Sequence, residues 1–397
     1  MKLKTTWSYV PINFNTNIGT LENITQTAFF KNNIDGEKIR LKFSNIYGQE
    51  KLVLNQVIIA KRRERSKEIF DFTKITYGGS EQITIGPGDE IYTDTIDFTI
   101  KNNEVIVISV YFKDETDIYS VCSNWYGKSW YSEFSRGNNT QSQNPMLVDT
   151  DDVLPILKFD PNKARHLIGL TEINILPISN IRTLTLFGDS ITHMSYYSDA
   201  LFEKILDEFP GQVAILNAGI GGNRLLRDYS RVETIPGGGT IFGPSGVKRF
   251  YSNVFEGHFP EDIIVLIGIN DIIHPYTFDR DQEIPSLEEY IDGIKKLIEI
   301  AHKQNSRIYI GTIMPFKNEE NIWYKEAETL RREINIWIRQ QIDSDGIIDF
   351  DFAVRDSLNP QYMCEDYHLG DGLHPNAAGG EKMAQAVYAC ILNKSKE

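Results

Sequence analysis

Cysteine is scarce in this chain of 397 residues: Cys122, Cys364 and Cys390 are the only three, and they lie far apart. No CxxC pair exists, so neither a disulfide framework nor a cysteine zinc site is expected. Long apolar runs are missing too. With no stretch of about 18 apolar residues, no membrane-spanning helix is expected. Positive charge falls short of negative, 41 Lys and Arg against 55 Asp and Glu, for a formal net charge of −14. That excess repels phosphate backbones and anionic bilayers, so nucleic acid is not an expected partner. There is no P-loop GxxxxGK[ST] and no HExxH. "GIGGNR" begins like a dinucleotide fingerprint, but Arg224 stands at the third glycine position. The N-terminal "MKLKTTWSYVPINF" has two lysines and no apolar h-region behind them. A cytoplasmic location is therefore expected, or a secreted one if a leader has been removed.

What is present reads as two domains, the natural prior at this length. Residues 1–175 are rich in period-2 alternation. "EKIRLKFSNIYG" sets Ile39, Leu41 and Phe43 on one side and Lys38, Arg40 and Lys42 on the other. "KLVLNQVIIA", "EIYTDTIDFTI" and "EVIVISVYF" continue the theme between turn signals such as "GPGDE" and "KNN". This predicts an all-β, jelly-roll-like sandwich. Residues 183–397 alternate continuous apolar strands with helical patterns, which predicts a parallel sheet covered on both faces. The strands "TLTLF", "VAIL", "DIIVLI", "RIYIGTI" and "GIIDF" number five and suit a flavodoxin-like, three-layer α/β/α domain. "YIDGIKKLIEIAHKQ" is helical, with Ile291, Ile294, Leu297, Ile298 and Ala301 in register.

Ligands of open parallel sheets collect beyond the C-terminal strand ends. Here those tips carry "GDS" (188–190), "AGIGGNR" (218–224), "GIND" (268–271) and "DGLHPN" (371–376). A GDS tripeptide alone is a turn signal. Four polar tips at one edge offer more. Asp371 and His374 are three residues apart, close enough for the carboxylate to reach Nδ1 and leave Nε2 as a base. With Ser190 they supply nucleophile, base and orienter for acyl transfer. Gly222 offers a bare backbone N–H, Asn270 a side-chain amide, and Ser190 its own N–H, as donors to an oxyanion. Asn376 is a candidate N-cap for the last helix.

On these four blocks the chain resembles the GDSL, or SGNH, hydrolases over residues about 183–392. The resemblance implies a flavodoxin-like fold and ester hydrolysis without metal or cofactor. It makes Ser190 the nucleophile, His374 the base, Asp371 its partner, and Gly222 and Asn270 oxyanion donors. "IRLKFSNIYGQEKLVLNQVIIA" is similar to the β-rich domain that precedes the hydrolase domain in some bacterial members. Where many relatives continue the first block with Asp-Gly, this chain has Thr192-His193-Met194, and His193 is expected at the surface. The insertion from Leu225 to Phe259, with its "IPGGGTIFGPSG", reads either as a mobile lid or as a passive surface excursion.

Other polar residues are assigned simpler roles. His368, Asp371 and His374 lack the helical spacing of a metal cluster, and His166, His258, His274 and His302 have no paired ligands nearby in sequence. Asp189 and Asp271 are expected to hold backbone groups around the site. Glu203 and Asp207 read as a solvated helix face. The aromatic run "CSNWYGKSWYSEF" is expected to pack in a core or between domains rather than to stack on sugars. The expected function is a serine esterase acting on a small-molecule ester or an acylated carbohydrate, with a short-chain or carbohydrate acetylesterase as its finer form. An acyltransferase using the same residues, and a carbohydrate-binding protein with a vestigial hydrolase domain, are the alternatives. The sequence leaves the oligomeric state open.

Overall fold

The computed structural model describes residues 2–63, 66–159, 164–278, 284–318 and 325–392. The chain divides into two compact units, one of residues 1–181 with 205–214, the other of residues 182–204 with 215–397.

The first unit is built from antiparallel sheets. A six-stranded sheet runs Leu147–Val148, Trp130–Arg136, Ile24–Lys31, Val105–Phe112, Gln56–Arg62 and Ile69–Ile75. A second sheet orders Lys4–Ser8, Leu170–Pro177, Gly36–Ser44 and Glu90–Tyr92, with Ile96–Ile100 also paired to Gly36–Ser44. The two pack face to face through aromatics. Trp7 of the second sheet meets Phe30 and Trp130 of the first edge-on, with ring centroids 4.7 and 5.8 Å apart. This is the jelly-roll-like sandwich that the alternation predicts. Trp130 of the aromatic run is thus core, whereas Trp125 and Tyr126 stay partly exposed.

Two details differ from expectation. "EIYTDTIDFTI" is not one strand, because the Thr93 hydroxyl accepts the Leu41 N–H at 3.1 Å where a ladder carbonyl would. The polar face of Gly36–Ser44 is not uniformly wet either. Lys42 Nζ lies 3.0 Å from Glu90 and 3.2 Å from Glu172, and Glu172 is buried. Alternation separates two faces but does not say what covers either, and charges sunk this far persist because they are paired.

Residues 182–348 hold a five-stranded sheet: β1 (Arg182–Gly188), β2 (Val213–Gly219), β3 (Asp262–Leu266), β4 (Arg307–Gly311) and β5 (Gly346–Ile348). The order is β2-β1-β3-β4-β5, and β1, β3, β4 and β5 pair in parallel. This is the flavodoxin-like order, with its switch point beside β1. Every residue of β3 is buried, as a strand covered on both faces requires. The helices are α1 (Ser190–His193), α2 (Tyr196–Glu208), α3 (Gly246–Phe255), α4 (Ile269–Thr277), α5 (Leu287–Lys303), α6 (Lys325–Gln340), α7 (Phe350–Val354) and α8 (Ala377–Val387). The chain steps from β1 to β2 on one side and then returns past β1 to β3 on the other, the reversal that, with crossovers of one hand, puts helices on both faces. Helix α5 opens on a Ser286/Glu289 capping box. Its buried face takes in Tyr290 rather than Ile291, and the Tyr290 hydroxyl donates to the Ile267 carbonyl at 3.0 Å.

Candidate active site

Strand β1 delivers Ser190. At its end, Gly188 has no room for a side chain: a Cβ there would stand 2.4 Å from the Leu266 carbonyl oxygen. Asp189 then caps α1, its carboxylate accepting the Ile191 N–H at 3.1 Å. Burial pushes the Asp189 carboxyl up to about 7, against the pull of that N–H and of the charges of His374 and Arg249.

The Ser190 hydroxyl lies 2.9 Å from His374 Nε2, and His374 Nδ1 lies 2.6 Å from Asp371 Oδ2. With Nδ1–H donating to the carboxylate, Nε2 is left to accept the serine proton. The second Asp371 oxygen accepts the N–H groups of Leu373 and His374, both at 2.9 Å. Burial would raise the Asp371 carboxyl, but the hydrogen bond and charge of His374, with those two N–H groups, hold it down to about 2. The loop has its own supports. His368 Nδ1 accepts the N–H groups of Gly370 (3.0 Å) and Gly372 (3.2 Å), and Asn318 donates to the Asp371 carbonyl at 2.7 Å. Asn376 caps α8 by accepting the Gly379 N–H at 3.1 Å. His368 is therefore a brace for the loop that carries Asp371 and His374. Among the described residues, no group of three or more His, Cys, Asp or Glu could hold a metal ion.

The expected oxyanion donors sit on the next two tips. Gly222 follows β2 at φ +69°, and a Cβ there would lie 2.2 Å from the Phe242 ring. The loop before it is tied to β1 and α1: the Ile220 N–H donates to the Gly188 carbonyl and the Gly221 N–H to His193 Nδ1, both at 3.1 Å. His193 is consequently buried, not at the surface. The end of α1 tucks under β2 because Gly219 leaves room; a Cβ there would stand 2.4 Å from the His193 nitrogen. Asn270 begins α4. Its amide donates to the Asn223 carbonyl at 3.0 Å, which engages one of its two N–H groups. Asp271 accepts the Leu225 and Leu226 N–H groups at 2.6 and 2.9 Å, and its carboxyl is pushed up to about 6 by burial. Asp189 and Asp271 thus hold backbone around the site, as expected of them.

The insertion from Leu225 to Phe259 is stitched to these tips. Gly237, Gly238 and Gly239 take φ of 73°, 63° and 105°, a run that only glycine enters at little cost. Asn223 Nδ2 donates to the carbonyls of Phe242 (2.6 Å) and Pro244 (2.7 Å). Buried Ser230 and His274 share a 2.8 Å hydrogen bond. Helix α3 sends Arg249, missed in the sequence, into the space between the tips. The available signal was a guanidinium beside Phe250 and three residues after Gly246, on the buried side of an otherwise amphipathic helix.

Residues 186–382 match the GDSL-like Lipase/Acylhydrolase family. That stretch is a GDSL-like domain. The GDSL-like unit is similar to solved structures that include an acetylxylan esterase from Geobacillus stearothermophilus, at 19% identity over 53% of this chain and 94% of that one, with a TM-score of 0.40. A GDSL-like lipase from Bacteroides thetaiotaomicron is similar at 14% identity over 54% of this chain and 89% of that one, also with a TM-score of 0.40. No curated protein matches the chain. Among the described residues, no helix is long and apolar enough to cross a membrane.

Proposed function

We propose that this GDSL-like hydrolase is a serine esterase that cleaves short-chain carboxylic esters, acetyl esters of carbohydrates foremost, through an acyl-enzyme. One observation carries the reading: the unbroken hydrogen-bonded run from Ser190 Oγ through His374 to Asp371, at 2.9 and 2.6 Å. His374 Nε2 takes the hydroxyl proton as Oγ bonds to the ester carbonyl carbon. The carbonyl electrons move onto oxygen, facing the N–H groups of Ser190 and Gly222 and the Asn270 amide. Collapse expels the alcohol, which leaves with the proton from His374. Water then attacks the acyl-serine by the same route and releases the acid. Asp371, ionised across the working pH range, steadies the imidazolium in both steps.

The short acyl group is supported by the Phe242 ring seated on Gly222, with the His274 and Phe278 rings 5.1 and 5.7 Å from it. Bulk beside an oxyanion donor restricts what the carbonyl carbon can carry. The test is turnover of p-nitrophenyl acetate, butyrate and octanoate by wild type and Ser190→Ala. Acetate is expected to be the best of the three and the variant inactive but folded. Undiminished turnover by Ser190→Ala would end the esterase reading; a preference for octanoate would end the short-chain form of it.

A further inference from the structure

The insertion between Leu225 and Phe259 places one guanidinium within reach of three strand-tip segments. Arg249, on α3, is only 4% exposed. Its Nη2 donates to the Gly188 carbonyl at 2.7 Å, two residues before Ser190. Its Nη1 donates to the Ala218 carbonyl at 2.8 Å, at the start of the turn that carries Gly222, and to Asn253 Oδ1 at 3.0 Å. Its Nε donates to Asn223 Oδ1 at 2.8 Å, and the Asn223 carbonyl in turn accepts the Asn270 amide. The guanidinium carbon lies 4.1 Å from the centroid of the Phe187 ring, which fixes its plane. Each segment that bears an expected oxyanion donor is therefore connected to this one side chain.

We infer that Arg249 is a positioning residue for ester hydrolysis: it holds the Ser190, Gly222 and Asn270 donors in the mutual geometry that a tetrahedral oxyanion needs. Planarity matters here. A rigid fork addresses four acceptors in fixed directions, whereas an ammonium carries its three N–H groups on one atom and cannot reach all four at once. Oxyanion donors act through preorganisation, so loosening their frame raises the barrier without changing how the ground-state ester binds. The insertion is then a part of the site's frame, anchored by α3, and not a detachable cover.

This inference rests on the esterase reading, and the experiment separates the two. Wild type and Ser190→Ala are first compared for p-nitrophenyl acetate turnover and fluorophosphonate labelling; failure there ends the esterase reading, whatever Arg249 does. Arg249→Met and Arg249→Lys are then assayed for kcat, KM, thermal midpoint and inhibition by a boronic acid that forms a tetrahedral serine adduct. Arg249→Met is expected to lose about 100-fold in kcat, the scale of one oxyanion donor, with KM within about threefold. Boronate affinity should fall in parallel with kcat, which a merely global loss of stability would not produce. Arg249→Lys, keeping the charge but not the fork, should fall between the two. A folded Arg249→Met with kcat and boronate affinity near wild type overturns the inference. Should Arg249→Met fail to fold, a lysine variant with wild-type kcat and boronate affinity overturns it equally.

Discussion

His193 Nδ1 accepts the Gly221 N–H at 3.1 Å, so the helix that begins with Ser190 also braces the residue before Gly222. The proposed nucleophile and the residue that braces the proposed oxyanion loop thus lie within one turn of α1. His193→Ala should let the loop shift and lower kcat by about 10- to 100-fold, with a smaller change in KM. His193→Asn can offer an acceptor at nearly the same point and should retain most activity. Equal losses in the two variants, measured by steady-state kinetics, would show that this hydrogen bond is not what matters.

Gly222 has two reasons to be glycine. Its φ of +69° disfavours any Cβ, and that Cβ would strike the Phe242 ring at 2.2 Å. Gly222→Ala is expected to cut kcat by about 100-fold and to cost about 1–2 kcal/mol of stability from the backbone alone. Adding Phe242→Ala should relieve the clash but not the backbone strain. Recovery of activity in the double variant should therefore be partial, as a double-mutant cycle would record.

Stability should depend on pH through three carboxyls of opposite sense. Burial is the largest cause for Asp189, pushed up to about 7, and for Asp271, pushed up to about 6. Each holds in the folded state a proton that the unfolded chain has released, so stability should fall as pH rises from about 4 to about 7. Asp371, held down to about 2 although burial opposes it, contributes stability above about pH 4 that is lost as pH falls towards 2. Asp189→Asn keeps an acceptor for the Ile191 N–H and removes the titration. Thermal midpoints across pH 4–7 should flatten in that variant; a decline equal to wild type would contradict the assignment.

The buried Ser230–His274 hydrogen bond, 2.8 Å long, ties the insertion to α4. Ser230→Ala leaves the imidazole nitrogen facing an apolar group. A loss of about 1–3 kcal/mol in denaturant stability is expected, with kcat and KM within about twofold. A large drop in kcat with unchanged stability would mean that the pair does more than anchor.

Much of the site was legible because its parts are local. Asp371 and His374 share one short loop, and Ser190 follows the end of one strand, so spacing and strand order were enough to place them together. The parallel strands were legible because burial on both faces leaves a continuous apolar run such as that of β3. Residues whose roles depend on distant backbone were not. Arg249 reads as an ordinary charged position of a helix, since its carbonyl acceptors at Gly188 and Ala218 lie 61 and 31 residues away. His193 read as surface because nothing in the sequence says that Gly219 vacates the space it fills. Glu172 and Lys42 alternate as a wet face should; only the tertiary fold shows that one is nearly sealed and that both are paired.

The separation of 184 positions between serine and histidine has a consequence for biosynthesis. A nascent polypeptide emerging from the ribosome exposes its hydroxyl long before the imidazole has been translated. Under the proposed chemistry, hydrolytic power can therefore arise only after residue 374 has been translated, and any product truncated ahead of that histidine would be born inert.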